Sequence, residues 1–242
     1  PFIWGFDDLE AIFFMTLLLL LYFADIPYLG NEVPFYLCRM TRKIWLAGQV
    51  VYIVCATAIY TVAILLSTIL ICGQRCYVGN IWSETAVKLA FTSAGKKLSL
   101  AASEKTLELT RPYACMTTIF FLLFAYALVM VLLIFWFRIL WNELAGMIAG
   151  VVFNGISFIF SPGILQKLLG ISERKSYLAN VAAGWISPLS HATYHLHNFG
   201  YDRLPSLRDS GIYDMVLVIM LIVLNLYSIR TYHFVFDGTG ER

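Results

Sequence analysis

Charged residues are scarce in this sequence. Only 13% of its 242 residues are Asp, Glu, Lys or Arg, whereas 60% are hydrophobic. Soluble domains carry about a quarter charged residues, so this composition excludes a water-soluble globular domain. The net charge of +2 is too small to attract nucleic acid, and we predict no nucleic-acid partner. Because lipid offers the backbone no hydrogen-bond partners, we expect an all-α, polytopic membrane helical bundle.

The sequence also lacks a loop that would bind the phosphates of ATP. Such a loop follows the pattern G-x-x-x-x-G-K-[ST], in which backbone amides and the Lys surround the phosphates. The nearest stretch is AGKKLS at 94–99, where Ala90 replaces the first Gly and Lys97 replaces the hydroxyl residue. We therefore predict that the chain binds no nucleotide by this device and holds no cofactor of its own.

Carboxylates are missing from the interior of the apolar segments. Glu143 and Asp214 fall at the ends of those segments, where we expect water to reach them. The sequence thus offers no acid pair and no His-rich metal motif for hydrolysis within a membrane. We predict that the chain is not an enzyme.

Cysteine is used sparingly, with five residues in the whole chain. Cys38, Cys55 and Cys115 lie in or beside apolar runs and are interpreted as small buried hydrophobes. Cys72 and Cys76 lie together in CGQRC at a predicted membrane boundary. Two free thiols are the simpler reading of this pair, and a disulfide is the alternative if that side of the membrane is oxidising.

Three histidines form a weak candidate for a metal site. His191, His195 and His197 lie in SHATYHLHNFG, and the first two are spaced to share one face of a helix. No Cys or carboxylate follows at ligand spacing, since the nearest acid is Asp202. Hydrogen bonding at the membrane interface is the simpler interpretation, and we predict no metal.

Five apolar segments approach the roughly 20 residues that a helix needs to cross a bilayer. They cover about 9–24, 44–71, 113–137, 144–160 and 212–229. The number is odd and the first segment starts close to Pro1, so the pattern leaves room for a sixth span upstream. We interpret 1–242 as a single transmembrane domain.

The connectors between these segments differ greatly in length. A compact loop at 25–43 and a hairpin at 138–143 alternate with long loops at 72–112 and 161–211. Counting spans places the two long loops on one side of the membrane. Apolar residues three and four apart in both long loops predict amphipathic or re-entrant helices. The long loops hold more basic residues and the compact side holds them more densely, so charge does not fix the orientation.

One face of the fourth segment carries small and polar residues. Gly146 and Gly150 form G-x-x-x-G, a spacing that lets another helix approach closely. Asn154 and Ser157 continue that face, and Asn225 adds a polar residue to the fifth segment. Polar residues at mid-membrane contact other helices or line a path. We favour helix packing over substrate contact for this set.

The connector that follows the first segment is short, charged and rich in turns. From residue 29 onward it lies in LGNEVPFYLCRMTRKIWLAGQ at 29–49, where Gly30 and Asn31 break the chain. Glu32 and Pro34 suit the first turn of a helix, and cations follow near its end, where the helix dipole favours them. We predict a short, stiff, charged helix held between two membrane helices.

This connector resembles that of the type-2 transport-permease class of ABC exporters. The pattern in that class is E-x-P-x-x-L-x-R-x-x-R-x-x-W-x-x-G-K. The matching residues here are Glu32, Pro34, Leu37, Arg39, Arg42, Trp45 and Gly48, followed by Gln49 where Lys is more usual. The stretch WISPLS at 185–190 is similar to the YLSPVSW stretch that precedes the last helix in many members. The Gln weakens a basic contact and leaves the shape of the motif intact.

The resemblance implies a permease subunit that exports substrate by alternating access, driven by an ATPase subunit that holds ATP and Mg²⁺. The connector would be a coupling helix facing the cytoplasm, and the long loops would face outside. Its contacts with the ATPase subunit would be Asn31, Glu32, Arg39, Arg42 and Lys43. A second permease subunit, of the same or a different chain, would line the path, surrounded by lipid of a bacterial plasma membrane.

Two other classes of function remain open at this point. A non-transporting membrane scaffold, assembly factor or sensor would need no ATPase partner. A membrane enzyme acting on lipid would use His191 or His195 in the second long loop. No charged residue within the predicted spans identifies a transported substrate.

Overall fold

The computed structural model describes residues 2–27, 39–73, 79–92, 104–200 and 202–232, and all secondary structure in these ranges is helical. The α-helices are α1 (Phe2–Phe6), α2 (Leu9–Tyr22), α3 (Arg42–Cys72), α4 (Glu84–Phe91), α5 (Glu104–Leu109), α6 (Pro112–Leu140), α7 (Glu143–Ile159), α8 (Pro162–Leu168), α9 (Ser176–Ile186), α10 (Pro188–Ala192) and α11 (Leu207–Ser228). Short 3₁₀ turns cover Glu173–Lys175 and Tyr194–Leu196. The all-α prediction is confirmed for these residues.

Three helices of the described chain are long and apolar enough to cross a membrane, namely α3, α6 and α11. The protein therefore has the helices of an integral membrane protein. They correspond to the second, third and fifth apolar segments of the sequence.

The first and fourth apolar segments, which were also predicted to be spans, do not form long straight helices. The α2 helix has 14 residues, about 21 Å at 1.5 Å per residue, against a hydrocarbon core of about 30 Å. The α7 helix is followed by α8 at an angle of 73°, so this pair is one broken span or a re-entrant turn. The break falls at Pro162, which cannot continue the hydrogen-bond ladder of α7. The described chain thus supports three spans, or four if α7 and α8 together form one span.

The α6 helix forms the centre of the bundle. In its most apolar stretch 61% of residues are buried, against 28% for α3 and 22% for α11. Two apolar clusters run along α6, one around Phe135 and Leu132 and the other around Tyr126 and Ile119. The faces of α3 and α11 that point away from α6 are therefore exposed to lipid or to another protein.

Side chains that bond the free amides of the first turn mark where several helices begin. Thr41, Ser83, Asn142 and Ser187 each accept a hydrogen bond from a backbone amide in the first turn of the following helix. Ser206 and Asp209 bond each other's backbone in a capping box at the start of α11. Local polar residues thus fix the starts of α3, α4, α7, α10 and α11.

The bundle has two different ends. We call one the arginine end, where Arg42 opens α3 and Arg138 lies near the end of α6. We call the other the histidine end, which holds His191, His195 and His197. The described parts of both long loops lie at the histidine end, where α4, α5 and α8–α10 pack around the tops of the long helices.

Candidate functional site

A buried arginine caps α2 at the arginine end. The Nη1 atom of Arg138 donates to the carbonyl oxygens of Phe23 at 3.1 Å and Ala24 at 2.6 Å, and it also contacts the carbonyl of Ile26. These carbonyls follow the end of α2, where the helical hydrogen-bond pattern stops. Charge-assisted bonds from α6 therefore fix the chain where the connector 25–43 begins.

The side chain of Arg138 passes through space left by a glycine. A Cβ at Gly146 would lie 2.4 Å from Arg138 Cγ and 2.8 Å from the carbonyl oxygen of Ile134. A Cβ at Gly150 would lie 2.7 Å from Leu20 Cδ2 and 2.9 Å from Ile134 Cγ1. Both glycines of the G-x-x-x-G pair thus lie against neighbouring helices of the same chain.

A second arginine holds the far end of the connector. Arg42 Nη1 donates to the carbonyl oxygen of Arg230 at 2.6 Å and lies 3.4 Å from that of Ile229. These two carbonyls follow the end of α11. Arg42, which the resemblance names as an ATPase contact, is thus engaged with α11 within the same chain.

The other residues assigned to the ATPase contact are placed less completely. Arg39 and Lys43 are exposed at the arginine end, on either side of the start of α3. Asn31 and Glu32 lie outside the described residues, as does most of the segment for which the coupling helix is predicted.

Asn154 joins three helices in the middle of the bundle. Its Oδ1 accepts a bond of 2.9 Å from the Tyr126 hydroxyl of α6, and its Nδ2 donates to the Phe13 carbonyl of α2 at 3.0 Å. Ser157, almost one turn further along α7, accepts from the backbone amide of Leu189 in α10 at 3.1 Å. These two polar residues of α7 therefore bond other parts of the same chain.

Asn225 and Ser228 bond within the bundle near the arginine end. Asn225 Nδ2 donates to the Leu221 carbonyl at 2.8 Å and lies 3.4 Å from the Leu132 carbonyl of α6. The indole of Trp136 donates to Ser228 Oγ at 3.0 Å. The contacts of Asn225 with α6 are those of a helix-packing residue.

The buried face of α11 is unusually polar for a membrane helix. Ser210, Asp214, Asn225 and Ser228 are all buried on it, with Leu221 between them. The expectation that water reaches Asp214 is wrong for the described chain, because this residue is only 4% exposed. The prediction assumed that a carboxylate so close to the end of a span lies in the interface, but α11 begins at Leu207 and buries Asp214 two turns further in.

Two histidines share one hydroxyl at the histidine end. His191 Nδ1 and His197 Nε2 each lie 2.8 Å from Ser210 Oγ, and the His191 ring stacks on Tyr213 with centroids 4.2 Å apart. Burial lowers the pKa of both His191 and His197, so the neutral imidazoles are favoured. A hydroxyl beside an imidazole is an arrangement used in nucleophilic catalysis. Here Ser210 is completely buried, so this group holds α10 against α11.

The third histidine bonds a different residue. His195 Nδ1 lies 2.6 Å from the backbone carbonyl oxygen of Asp7 and 3.2 Å from the Oδ1 atom of Asp7. The same Oδ1 atom accepts a hydrogen bond of 2.8 Å from the backbone amide of His195. Thr106 Oγ1 donates to Asp7 Oδ2 at 3.1 Å. Burial acts to lower the pKa of His195, but the hydrogen bonds and charge of Asp7 outweigh it and raise the pKa overall.

The histidines are therefore divided between two polar groups. In the described ranges no set of three or more His, Cys, Asp and Glu residues is placed to hold a metal ion. The sequence spacing suggested that His191 and His195 share a helical face, but α10 ends at Ala192 between them. Asp7 and Ser210, which bond the histidines of the two groups, are not predicted from the sequence. The only hint in the sequence is the pair of acids in GFDD, which includes Asp7.

The cysteines of the described chain do not form one group. Cys115 is buried as predicted, whereas Cys55 is exposed on the outer face of α3. Cys72 is the last residue of α3. Its proposed partner Cys76 and the predicted buried Cys38 lie outside the described residues.

A cavity of about 750 Å³ opens at the histidine end. Its walls combine apolar side chains with charged and hydroxyl groups, and it is lined by Asp8, Leu9, Glu104, Lys105, Ser157, Phe158, Phe160, Ser161, Pro162, Asn180, Ala183, Gly184, Ser187, Ser190, His195, Leu196 and Leu204. Lys105 forms an ion pair with Asp202 beside it. The bend between α7 and α8 leaves this space between the short helices.

Comparison with protein-family models, with curated proteins and with solved structures found no match to this chain. Function is therefore inferred from the residues and their geometry alone.

Proposed function

We propose that this chain is the membrane-spanning permease subunit of an ATP-binding-cassette exporter, moving substrate by alternating access. The observation that supports this most is the attachment of the connector 25–43 at both ends. Arg138 holds the chain where the connector begins, and Arg42, at its end, holds the end of α11. A displacement of the connector would therefore move α2, α3, α6 and α11 together.

Such coupling is what a permease needs at the surface that its ATPase pushes. The buried hydrogen bonds of Arg138 resist separation better than exposed ion pairs, so force at the start of the connector is passed on to α2 and α6. The bond from Arg42 to the end of α11 is exposed and adds a weaker link. The connector would carry the coupling helix and face the cytoplasm. The separate ATPase subunit would hold ATP and Mg²⁺, with Asn31, Glu32, Arg39 and Lys43 in contact with it.

The histidine end would then face the opposite side of the membrane. The bend between α7 and α8 and the bond from Leu189 to Ser157 support a re-entrant course for 161–211. We propose that α2 and α7 also cross the bilayer, which makes five spans in this chain. Backbone that is not helical at membrane depth is tolerated where protein or water covers it.

A second permease subunit would pack against the exposed apolar faces of the bundle. The outer face of α3 carries exposed large side chains such as Val51 and Ile59. Two such subunits, of the same or different chains, would enclose a path between them, with lipid around the remainder.

The test removes the exposed charge of the connector without disturbing the bonds of Arg42. Arg39→Glu combined with Lys43→Glu should abolish substrate-stimulated ATP hydrolysis by the reconstituted complex and leave membrane insertion unchanged. Arg174→Glu with Lys175→Glu is the matched control, because it reverses two exposed cations at the histidine end. The control should retain wild-type stimulation.

Normal coupling in the connector variant would contradict the assignment of these residues. A wild-type protein that purifies from its native membrane without a nucleotide-hydrolysing subunit would contradict the exporter proposal as a whole. A membrane scaffold or sensor would then be the better interpretation. Loss of a lipid-modifying activity on replacing both His191 and His195 would instead favour a membrane enzyme.

A further inference from the structure

A second cavity lies between α6 and α11, on the outer side of the bundle. It is open to the outside of the bundle and has a volume of about 500 Å³. Small-molecule sites commonly have volumes of about 300–1,000 Å³, mostly apolar walls and a few polar groups. The lining residues are Thr117, Thr118, Phe121, Leu122, Phe124, Ala125, Leu128, Leu207, Gly211, Asp214, Met215 and Val218. Asp214 carries the only ionisable side chain among them.

The carboxylate of Asp214 is buried without a partner. The residue is 4% exposed, and its Oδ2 atom has no hydrogen-bond partner within the described chain. The ion pairs found in the described ranges involve other acids, namely Glu84, Asp202 and Asp7. A buried carboxylate with no compensating group is costly, and in a membrane helix such a residue marks a functional site more often than a structural one.

Asp214 lies inside α11, one of the three described helices that are long and apolar enough to cross a membrane. It follows the start of α11 by two turns, about 11 Å along the helix axis. Ser210, one turn earlier, is already engaged by His191 and His197. Ser210 is therefore occupied by the two imidazoles, and Asp214 lines the cavity.

The walls of this cavity decide which kind of cation fits. A hard metal ion such as Ca²⁺ takes six to eight oxygen ligands, whereas the side chains here offer one carboxylate and the hydroxyls of Thr117 and Thr118. The remaining wall is carbon, with the rings of Phe121 and Phe124. Aromatic faces attract organic ammonium groups, and apolar side chains cover their carbon substituents.

We propose that the cavity between α6 and α11 binds an organic ammonium ion with apolar substituents, whose charge is paired with Asp214. The ligand enters from the lipid side, where Phe121 and Met215 are exposed. The proposal holds for a transporter and for a scaffold alike, so its test is independent of any ATPase subunit. A free amine and the ammonium headgroup of a lipid share this chemistry.

The probe is radiolabelled benzyltrimethylammonium, measured by equilibrium dialysis against the protein in nanodiscs of phosphatidylglycerol, a lipid without an ammonium group. Any subunit that co-purifies is kept. The wild-type protein should bind it saturably, and neopentylbenzene, the neutral carbon isostere of the probe, should compete poorly. Asp214→Asn should weaken binding by about 10- to 100-fold, the usual effect of losing one bond to a charged group.

Two further variants separate charge from folding. Glu143→Gln removes one exposed negative charge at the arginine end and should bind like the wild type. Gly211→Leu should weaken binding while Asp214 is intact, because Gly211 lines the cavity and a side chain there has open space to occupy. This variant tests the site even if Asp214→Asn does not fold.

Any one of three results would overturn the proposal. Absence of saturable binding to the wild type, equal affinity for Asp214→Asn, or equal competition by neopentylbenzene would each refute the pairing with Asp214. Once binding is established, phosphatidylcholine is added to the discs. Weaker probe binding then identifies a lipid headgroup as the natural ligand, and unchanged binding identifies a free amine.

Discussion

At the arginine end two guanidinium groups hold the ends of α2 and α11, and at the histidine end three imidazoles hold short helices against the bundle. The two sets of contacts differ in charge. A guanidinium stays protonated at all physiological pH values, whereas an imidazole changes its charge near neutrality. The strength of the contacts at the arginine end should therefore be independent of pH, whereas the strength of those at the histidine end should change with pH.

The comparison also explains why the two ends have different architectures. Carbonyls at helix C-termini need a donor, and a cation at that position is favoured by the helix dipole as well. At the histidine end the start of α11 is capped instead by acceptors, the hydroxyl of Ser206 and the carboxylate of Asp209. The guanidinium groups thus bond carbonyls that follow helix C-termini, whereas Ser206 and Asp209 bond amides at a helix N-terminus.

The largest loss of stability is expected from removing the hydrogen bonds of Arg138 at the arginine end. Arg138→Met should remove the guanidinium donor from the carbonyls of Phe23, Ala24 and Ile26 and lower the free energy of unfolding by about 3 kcal/mol or more. The measurement is thermal unfolding in detergent, followed by helix content. Arg174→Met, an exposed site at the histidine end, is the control. An unchanged unfolding temperature for Arg138→Met would show that this bond network contributes little.

A smaller effect is expected from closing the space beside Arg138. Gly146→Ala places a Cβ 2.4 Å from Arg138 Cγ and should cost about 1–3 kcal/mol of stability, the usual cost of overpacking. Gly155→Ala in the same helix meets no atom within 4 Å and should be neutral or stabilising. The same unfolding assay compares the two variants. Equal stability of both would contradict the close approach of α6 and α7.

The smallest effect is expected at the histidine end, and it should vary with pH. Asp7 raises the pKa of His195 in the folded protein, so this contact stabilises the fold fully below the unfolded pKa of about 6.5. The contribution is lost as the pH rises through the folded value. The stability advantage of the wild type over His195→Gln should therefore be larger at acidic than at alkaline pH.

The neighbouring histidine should give the opposite dependence. Burial lowers the pKa of His191, so its contribution is full above the unfolded value and is lost as the pH falls through the folded one. The advantage of the wild type over His191→Gln should shrink on acidification. Parallel pH profiles for the His195→Gln and His191→Gln variants would show that the two groups are not distinct.

Much of the helical pattern could be predicted from the sequence, because it depends on local composition. The apolar segments at 44–71, 113–137 and 212–229 correspond to α3, α6 and α11. The first and fourth were predicted to be spans on hydrophobicity alone. The helices α2 and α7 lie close to the predicted bounds, but α2 ends at Tyr22 and is short for a span, and α7 is followed by α8 at an angle of 73°. Hydrophobicity averaged over a window does not resolve that bend.

The polar contacts were harder to predict because they join residues far apart in the chain. Asn154 and Asn225 were recognised as polar residues within spans, but their partners Phe13 and Leu132 lie on other helices. Arg138 was placed in a hairpin and received no role, since nothing near it in the sequence shows that it meets the end of α2. Asp214 was placed in water for a similar reason.

The neighbouring helices α2 and α3 differ in length in a way that affects the surrounding lipid. With 31 residues α3 is about 46 Å long, whereas α2 is about 21 Å long and carries the exposed side chains Phe14, Leu18 and Leu21. A bilayer of uniform thickness cannot match both helices. In the five-span arrangement proposed above, lipid beside α2 would be compressed and α3 would tilt to stay within the bilayer. That arrangement therefore predicts local thinning of the bilayer around α2.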